Sequence, residues 1–291
     1  MSQRWLITGS SRGIGRALSE AVLNAGHRLV ATAREPAQLA DLVERHGEAV
    51  RIATLDVTDP VGAEAAVRVA VESFDGLDVL VNNAGYGNVN SVEDTELDDF
   101  RRQIETNLFG TIIVTKAAIP VMREQRSGHI IQFSSVGGRV GAPGRAPYSA
   151  AKWGVEGFSE ALAREMDLIG VKVTVIEPGG FRTDFAGSST LLEEGRPEYD
   201  QVVGATARMQ RTYDGRQSGD PARAAQVILQ IAAMDRPPFR LPLGSDALKI
   251  IEQADLEKLE ELKRWCELSR STDFPIGDQA TISPFLALRS S

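Results

Sequence analysis

The stretch of sequence that decides the fold is Thr8-Gly9-Ser10-Ser11-Arg12-Gly13-Ile14-Gly15, between an apolar strand-like segment and a helical pattern. Glycines in such a turn let the backbone bend tightly and approach a pyrophosphate, and the following helix offers free amide donors. An ordinary glycine-rich turn is the alternative interpretation. Because the loop follows the first strand of a chain in which strands and helices alternate, we predict a nucleotide-binding loop.

Strand-like and helical segments alternate along the rest of the chain. Strands are predicted at residues 5–8, 28–33, 49–55, 77–81, 130–133 and 171–176, with a further apolar segment at 240–244. Helices are predicted at residues 13–25, 37–46, 221–234 and 246–268, and another begins near Thr58-Asp59-Pro60. Such alternation produces a parallel sheet covered on both faces. The predicted fold is a Rossmann-type doubly wound α/β sheet flanked by helices, with ligands at the carboxyl ends of its strands.

We predict a single domain over residues 1–291, because no composition break or repeat marks a boundary. Residues 184–220 interrupt the alternation and are interpreted as an insertion that covers the substrate crevice. The apolar stripe of the helix at 246–268 is expected to pack in the core, with a lid or an oligomer contact as alternatives. The tail at 270–291 has weak periodicity.

Composition excludes several classes of protein. The formal net charge of −8 argues against a nucleic-acid partner bound through a basic surface. The single cysteine, Cys266, excludes an internal disulfide. We find no signal peptide and no apolar run that suggests a membrane span, so a cytoplasmic location is expected. No metal site is predicted.

Tyr148 and Lys152 lie one turn apart at the start of a helical pattern, which places both side chains on one face. A free tyrosine has a pKa of about 10, and a neighbouring ammonium group lowers it. The pair is therefore suited to acid–base chemistry. An ordinary pair on a helix surface is the alternative.

Two polar residues upstream extend this candidate site. Ser135 follows a strand at the carboxyl edge of the sheet, and its spacing from Tyr148 favours it over Ser134 as the group that holds a substrate oxygen. Asn107 interrupts a helical pattern with a poor helix former, although an incidental polar residue is the alternative.

The glycine loop, Asn107, Ser135, the Tyr148/Lys152 pair and Pro178-Gly179 occur in an order and spacing that resembles the short-chain dehydrogenase/reductase family, over most of residues 3–245. The chain is most similar to hydroxysteroid- and retinol-dehydrogenase-like members. The resemblance implies hydride transfer between a nicotinamide and a carbonyl or secondary alcohol, in a homodimer or homotetramer. It implies that Tyr148 is the acid–base group and that Ser135 positions the oxygen. It also implies that Lys152 lowers the Tyr148 pKa and holds the ribose, while Asn107 completes the proton path.

The cofactor preference depends on the end of the second strand, Ala33-Arg34, which lacks the acid found there in NAD-type members. Arg34 and Arg12 offer charge-assisted hydrogen bonds to a 2′-phosphate instead. A solvated surface charge is the alternative for each arginine. The sequence therefore predicts NADP(H).

Further cofactor contacts are implied by the resemblance. Asp56 would meet the adenine amine and Val57 would pack near its ring, although a turn or capping residue is an equal alternative for Asp56. Asn83-Ala84-Gly85 would line the cofactor, with a turn amide as the alternative for Asn83. In Pro178-Gly179-Gly180-Phe181-Arg182-Thr183, Thr183 would face the nicotinamide carboxamide.

The candidate pocket residues are mostly apolar, which favours a lipophilic ketone, aldehyde or secondary alcohol. They are Tyr86, Val136, Gly137, Gly138, Val140, Phe181, Phe185, Leu191, Leu192 and Tyr199, any of which is alternatively a core residue. Two other functions stay open. One is a non-catalytic NADP-binding sensor, which has no need of all four catalytic candidates, and the other is an epimerase or dehydratase that uses the cofactor transiently.

Overall fold

The computed structural model describes residues 2–185 and 190–274. Its strands are β1 (Arg4–Ile7), β2 (Arg28–Ala33), β3 (Val50–Thr54), β4 (Val79–Asn82), β5 (Gly128–Phe133), β6 (Val171–Pro178) and β7 (Arg240–Leu243). Its α-helices are α1 (Gly13–Asn24), α2 (Ala40–His46), α3 (Pro60–Phe74), α4 (Leu97–Ile104), α5 (Gly110–Gln125), α6 (Ala146–Asp167), α7 (Ala205–Tyr213), α8 (Pro221–Ala232) and α9 (Ser245–Arg270).

The strands form one parallel sheet in the order β3-β2-β1-β4-β5-β6-β7. β7, predicted only as an apolar segment, extends the sheet beside β6. The winding direction reverses between β1 and β4, so the loops that follow these two strands diverge and leave a crevice. This order confirms the predicted Rossmann-type doubly wound fold.

Alternate residues of a strand supply the two halves of the core. Trp5 and Ile7 of β1 belong to a hydrophobic cluster that includes residues of α1 and α8, whereas Leu6 belongs to a second cluster with residues of α3 and α5. This alternation follows from the strand period of two. Burial on both faces explains why the strands appear in the sequence as apolar runs.

Local hydrogen bonds account for the element boundaries. The Asp59 carboxylate accepts a hydrogen bond from the Val61 amide at the start of α3, which confirms the predicted helix start. β4 begins at Val79 rather than at the predicted Leu77. Both backbone polar groups of Leu77 are hydrogen-bonded to the Gln125 side chain instead of to a neighbouring strand. The Gln125 amide oxygen accepts from the Leu77 amide at 2.9 Å, and its nitrogen donates to the Leu77 carbonyl at 2.7 Å.

One helical stretch, Leu97–Gln125, has the length and composition of a membrane-crossing helix, which the search for apolar runs in the sequence did not indicate. It joins α4 to α5 through a π-helical turn at Glu105–Phe109. Its residues Val114, Ala118 and Met122 are fully buried in the second cluster. A core helix of this kind meets the same criterion as a membrane span.

The chain divides into two compact units, Met1–Ile251 and Glu252–Ser291, with the boundary inside α9. In the first unit, Ala247 and Ile251 of α9 are buried. In the second unit the expectation of core packing is wrong, because the apolar side chains of α9 are exposed: Leu256, Leu259, Leu262, Trp265 and Leu268. The single domain over residues 1–291 stays a prediction. Residues 186–189 of the predicted insertion and 275–291 of the predicted tail lie outside the described residues.

Gly15 packs tightly against the loop that follows β4 and against the glycine loop itself. A Cβ atom there would lie 2.3 Å from both Asn83 Nδ2 and the Gly9 carbonyl oxygen. These two atoms are hydrogen-bonded to each other and cannot move apart without breaking that bond. We therefore expect Gly15→Ala to lower the free energy of unfolding by about 1–3 kcal/mol, as overpacking does elsewhere. Urea unfolding followed by circular dichroism measures this.

Gly157→Ala, within α6, is the matched control. Gly157 is exposed, and no heavy atom lies within 4 Å of its added Cβ. Helix propensity should therefore raise the free energy of unfolding by roughly 0.5–1 kcal/mol. Equal effects of the two substitutions would contradict the packing described for Gly15.

Candidate active site

The glycine loop after β1 exposes backbone donors. Gly9 and Gly13 adopt positive φ angles of 69° and 60°, a conformation that side chains disfavour. α1 begins at Gly13 with Arg12 as its N-cap, whose side chain makes no capping hydrogen bond, and no acidic residue lies in the first turn. The first amides of α1 are therefore available to an anion such as a pyrophosphate.

Asn83 joins this loop to the end of β4. Its Nδ2 donates to the carbonyl oxygens of Thr8 and Gly9 at 3.0 and 3.2 Å. The Thr8 hydroxyl in turn accepts from the amides of Asn83 and Ala84, both at 3.0 Å. The Asn83 side chain thus bonds to the neighbouring strand's loop, and the alternative of a self-contained turn amide is wrong.

A cleft of about 1400 Å³ lies over the loop and along the carboxyl edge of the sheet. This exceeds the usual volume for one small ligand of about 300–1,000 Å³, so a dinucleotide and a substrate fit together. The predicted site residues that line it are Gly9, Ser11, Arg12, Gly13, Ile14, Arg34, Asp56, Val57, Asn83, Ala84, Gly85, Asn107, Ser135, Tyr148, Lys152, Pro178, Gly179, Phe181 and Thr183. Gly15 lies behind the loop instead, where its lack of a side chain lets Asn83 approach.

Two guanidinium groups border the cleft near the end of β2. Arg12 and Arg34 are exposed, and neither forms an ion pair with another described residue. The nearby Glu35 carboxylate accepts a hydrogen bond from Gln38 at 2.9 Å. Two exposed guanidinium groups without an ion-pair partner among the described residues therefore border the cleft at this edge of the sheet.

Asp56 has its predicted turn role and also lies at the cleft, while its contact with the adenine amine stays a prediction. Its Oδ1 accepts from the amide and hydroxyl of Thr58 at 3.0 and 2.8 Å, as a turn residue does. The hydrogen bond from the Thr58 amide is the main cause that holds the pKa of the Asp56 carboxyl below its usual value. Asp56 nevertheless lines the cleft. Within the described ranges, no group of three or more His, Cys, Asp or Glu side chains is arranged to hold a metal ion.

Tyr148 lies in the first turns of α6 with its ring between two glycines. A Cβ atom on Gly87 or Gly137 would come within 2.7 or 3.1 Å of ring atoms. Burial raises the pKa of the Tyr148 phenol, and a hydrogen bond with Ser135 and the charge of Arg145 oppose that effect. The phenol therefore keeps its proton at neutral pH.

Ser135, rather than Ser134, is the serine whose side chain acts on Tyr148 and opposes the rise of its pKa. The Ser135 hydroxyl also accepts from the Gly137 amide at 3.0 Å, which fixes its position. Ser134 is buried beside Gly138, where an added Cβ atom would come within 2.3 Å of its Oγ. The geometry thus agrees with the choice of Ser135.

Lys152 is buried behind Tyr148. Its Nζ donates to the Phe133 carbonyl at 2.7 Å and lies 5.7 Å from the centroid of the Tyr148 ring. Burial lowers the pKa of Lys152 to about 8, against the opposing effect of Glu156. The groups that oppose the raised Tyr148 pKa are Ser135 and Arg145 rather than Lys152. The predicted effect of Lys152 on Tyr148 therefore stays a prediction.

Asn107 lies in the π-helical turn between α4 and α5, a kind of irregularity that often occurs at functional sites. Its Nδ2 donates to the carbonyls of Tyr86 and Gln103, both at 2.8 Å, and its Oδ1 accepts from the Tyr86 amide at 3.1 Å. Asn107 therefore fixes the loop after β4, while its role in a proton relay stays a prediction.

The segment after β6 closes the cleft over the glycine loop. The Thr183 side chain lies 3.5 Å from where a Cβ on Gly13 would be. The Gly180 amide donates to Asp246 Oδ2 at 2.7 Å, and Asp246 lies so close to Gly179 that a Cβ there would come within 2.5 Å of its oxygens. Sequence analysis missed Asp246, because the contact joins distant parts of the chain without a local motif.

The predicted insertion contributes to the outer wall of the cleft. Sequence analysis selected only Phe185 of the insertion residues that line the cleft, which are Asp184, Phe185, Thr206, Met209, Gln210, Tyr213 and Gln217. Of the predicted pocket residues, those that line the cleft are Tyr86, Val136, Gly137, Val140, Phe181 and Phe185. Gly138, Leu191, Leu192 and Tyr199 do not line it. Leu192 and Tyr199 instead pack against Val89 and Val203 in a separate cluster.

Arg145 is a cleft residue beside the candidate chemistry that sequence analysis missed. It is the N-cap residue of α6, and its Cζ lies 5.8 Å from the centroid of the Tyr148 ring. Its position one turn before Tyr148 was the available signal, since residues at that spacing share a helix face.

Comparisons of the sequence and the structure with known proteins identify the family of the chain. A family model described as short chain dehydrogenase matches residues 3–193. Oxidoreductase BOA17 of Botryotinia fuckeliana (strain B05.10) is 46% identical over 270 residues, covering 92% of this chain and 98% of that protein. The 3-ketodihydrosphingosine reductase of Bacteroides thetaiotaomicron is 34% identical over 240 residues, covering 82% and 87%. The structure of a short-chain dehydrogenase from Streptomyces avermitilis superimposes with a TM-score of 0.87 and 37% identity, covering 94% and 100%.

The fold, the cleft and these relatives define an oxidoreductase that binds a nicotinamide cofactor and acts on CH–OH or C=O groups. The chain belongs to the short-chain dehydrogenase family. The resemblance found in the sequence is thereby confirmed.

Proposed function

We propose that this protein is an NADP(H)-dependent reductase of a lipophilic ketone or aldehyde, which also catalyses the reverse oxidation of the alcohol. The observation that carries the proposal is the position of Tyr148 beside Ser135 in the cleft that the glycine loop also lines: a Cβ atom on Gly137 would lie 3.1 Å from the Tyr148 ring and 3.5 Å from the Ser135 Oγ. A buried phenol that keeps its proton is suited to protonate the oxygen of a carbonyl substrate.

Tyr148 and Ser135 act on the substrate oxygen. When bound, the reduced nicotinamide supplies a hydride to the carbonyl carbon. Tyr148 donates its phenol proton to the carbonyl oxygen, which becomes the hydroxyl of the alcohol. The Ser135 hydroxyl holds that oxygen in position during the transfer.

Lys152 and Asn107 support Tyr148 from behind. The Lys152 ammonium would bind the ribose and favour the phenolate that remains after proton transfer. Asn107 fixes the backbone at Tyr86, and its Oδ1 lies beside Gly85 and Lys152. This position is consistent with a proton path that leads away from Tyr148 past Lys152.

Arg12 and Arg34 support NADP(H) over NAD(H). Both guanidinium groups are exposed and unpaired among the described residues, and they border the cleft. They would bind the 2′-phosphate, while the first amides of α1 would bind the pyrophosphate.

The wall of the cleft supports a lipophilic substrate. Val140, Phe185, Met209 and Ile250 line it together with Tyr213. One relative is named a 3-ketodihydrosphingosine reductase, and so by name reduces a keto group. A non-catalytic sensor and an epimerase or dehydratase are the alternatives. A homodimer or homotetramer and a cytoplasmic location stay predictions.

Oxidation of NADPH by the purified protein, against a panel of lipophilic ketones and aldehydes, tests the function. We expect turnover with NADPH, and we expect Tyr148→Phe to lower kcat by at least about 100-fold, because general acid catalysis contributes roughly 10²–10⁴-fold. NADPH binding by this variant should be unchanged. If the wild-type protein binds NADPH but turns over none of the compounds, the sensor is favoured. If substrate is converted while the cofactor stays bound and no net NADPH is oxidised, the epimerase or dehydratase is favoured.

The cofactor preference is tested by Arg12→Gln and Arg34→Gln. Each should raise the Kd for NADPH about tenfold or more, since a hydrogen bond to a charged group contributes roughly 1.5–3 kcal/mol. The Kd for NADH should change little, because NADH has no 2′-phosphate. Arg68→Gln, at an exposed position of α3, is the control. Equal losses for both cofactors would contradict the assignment.

The pH dependence of reduction reports on Lys152. Its ammonium is the active form, and the pKa of about 8 means that this form is lost as pH rises through that value. The Tyr148 pKa is raised, so the phenol keeps its proton in this range. We expect kcat/KM for NADPH to fall above pH 8, by about tenfold per pH unit once Lys152 is neutral.

Glu156→Gln is the companion variant for this profile. The Glu156 carboxylate raises the Lys152 pKa, so its removal should move the fall in kcat/KM to lower pH. Lys116→Gln, at an exposed position of α5, should leave the profile unchanged. A wild-type profile that stays flat to pH 10 would rule out the role given to Lys152.

A further inference from the structure

Arg145 places a positive charge beside the candidate catalytic tyrosine. Its Cζ lies 5.8 Å from the centroid of the Tyr148 ring and 5.9 Å from that of Phe185. All three residues line the same cleft. A substrate whose oxygen reaches Tyr148 therefore passes close to this guanidinium.

Arg145 has no carboxylate partner among the described residues. Its Nη2 donates to the Oε1 of Gln210, a neutral amide. Burial lowers the pKa of the Arg145 guanidinium, and Tyr148, rather than Asp184 of the same cleft, is the group that opposes this effect. Arg145 is half-buried rather than fully buried, and it lines the cleft.

Other partly buried arginines of the protein differ from Arg145. Arg139 is paired with the Glu177 carboxylate at 2.8 Å. Arg240 is paired with Glu156 and Glu160 at 2.9 and 3.0 Å. Desolvated charges are normally compensated in this way. Arg145 therefore lacks the counter-charge that arginines with a purely structural role have in this molecule.

Gln217 adds a second uncompensated polar group to the cleft. It is only 1% exposed, and neither its amide nitrogen nor its amide oxygen has a hydrogen-bond partner among the described residues. A buried polar atom without a partner is destabilising. Like Arg145, Gln217 can donate hydrogen bonds to an anionic oxygen.

We infer that Arg145 forms an anion subsite in the substrate cleft, and that the substrate is a ketone or aldehyde that carries a carboxylate group. The inference rests on the proposed carbonyl reductase function and narrows its substrate class. A guanidinium fork binds a carboxylate through two parallel hydrogen bonds. Gln210 holds the guanidinium from one side, and the apolar wall takes the hydrocarbon part of the same molecule.

Binding of matched acids and esters tests the subsite without requiring turnover. The probes are 3- and 4-acetylbenzoate and their methyl esters, titrated calorimetrically into the full-length protein with NADP⁺ present. We expect at least one acid to bind about tenfold or more tightly than its ester, because charge-assisted hydrogen bonds are roughly twice as strong as neutral ones. Equal binding of acid and ester for both isomers overturns the subsite.

Variants assign the preference to Arg145. Arg145→Gln should abolish the preference for the acid, and Arg145→Lys, which keeps the charge but loses the fork, should reduce it. Arg101→Gln, an arginine on the exposed face of α4, should retain it in full. If Arg145→Gln does not fold, the result with Arg145→Lys decides. A preference that Arg145 variants leave unchanged overturns the assignment.

Turnover of the same four compounds separates this inference from the proposed function. Reduction of esters as efficiently as acids keeps the reductase and overturns the subsite. Acid-selective binding with no reduction of any compound keeps the subsite and overturns the reductase. Arg145→Gln should lower kcat/KM for the acids alone. An equal loss for acids and esters would show that Arg145 acts only on Tyr148, and would also overturn the subsite.

Discussion

The structure depends on the hydrogen bonds between the Asn83 side chain and the carbonyl groups of Thr8 and Gly9. They join β1 to β4 at the point where the sheet reverses its winding direction. This connection requires Gly15, because any larger residue would occupy the space of the Asn83 amide. The crevice is thereby fixed before any ligand enters it, and its donors need little reorganisation when one binds.

Burial and charge oppose each other throughout the site. Lys152, Tyr148 and Arg145 all have pKa values shifted by burial toward the neutral form. Each is partly compensated by a specific neighbour: the Phe133 carbonyl for Lys152, Ser135 for Tyr148 and Gln210 for Arg145. These neighbours are neutral, although the Glu156 carboxylate and the Arg145 guanidinium also act on Lys152 and Tyr148 through their charges. Without a direct ion pair, the three residues remain able to exchange protons or bind ions.

Sequence reasoning predicted the features that depend on local pattern. Strand and helix periodicity predicted the doubly wound sheet, and the motif residues Ser135, Tyr148 and Lys152 lie together in the cleft. It failed where the contacts join distant segments. Leu77 was placed in a strand because the Gln125 contact leaves no local trace, and Asp246 was missed for the same reason. The exposed stripe of α9 was misassigned because periodicity shows which face is apolar without showing whether anything covers it.

The position of the Tyr148 ring between Gly87 and Gly137 restricts where a substrate oxygen can meet the phenol. The backbone lies so close to the ring at both positions that neither has room for a Cβ atom, so the ring has little freedom to turn aside. The phenol hydroxyl is thereby held in one place, and a substrate oxygen has to come to it. Two glycines, through the side chains they lack, fix the point in the cleft where the Tyr148 proton lies.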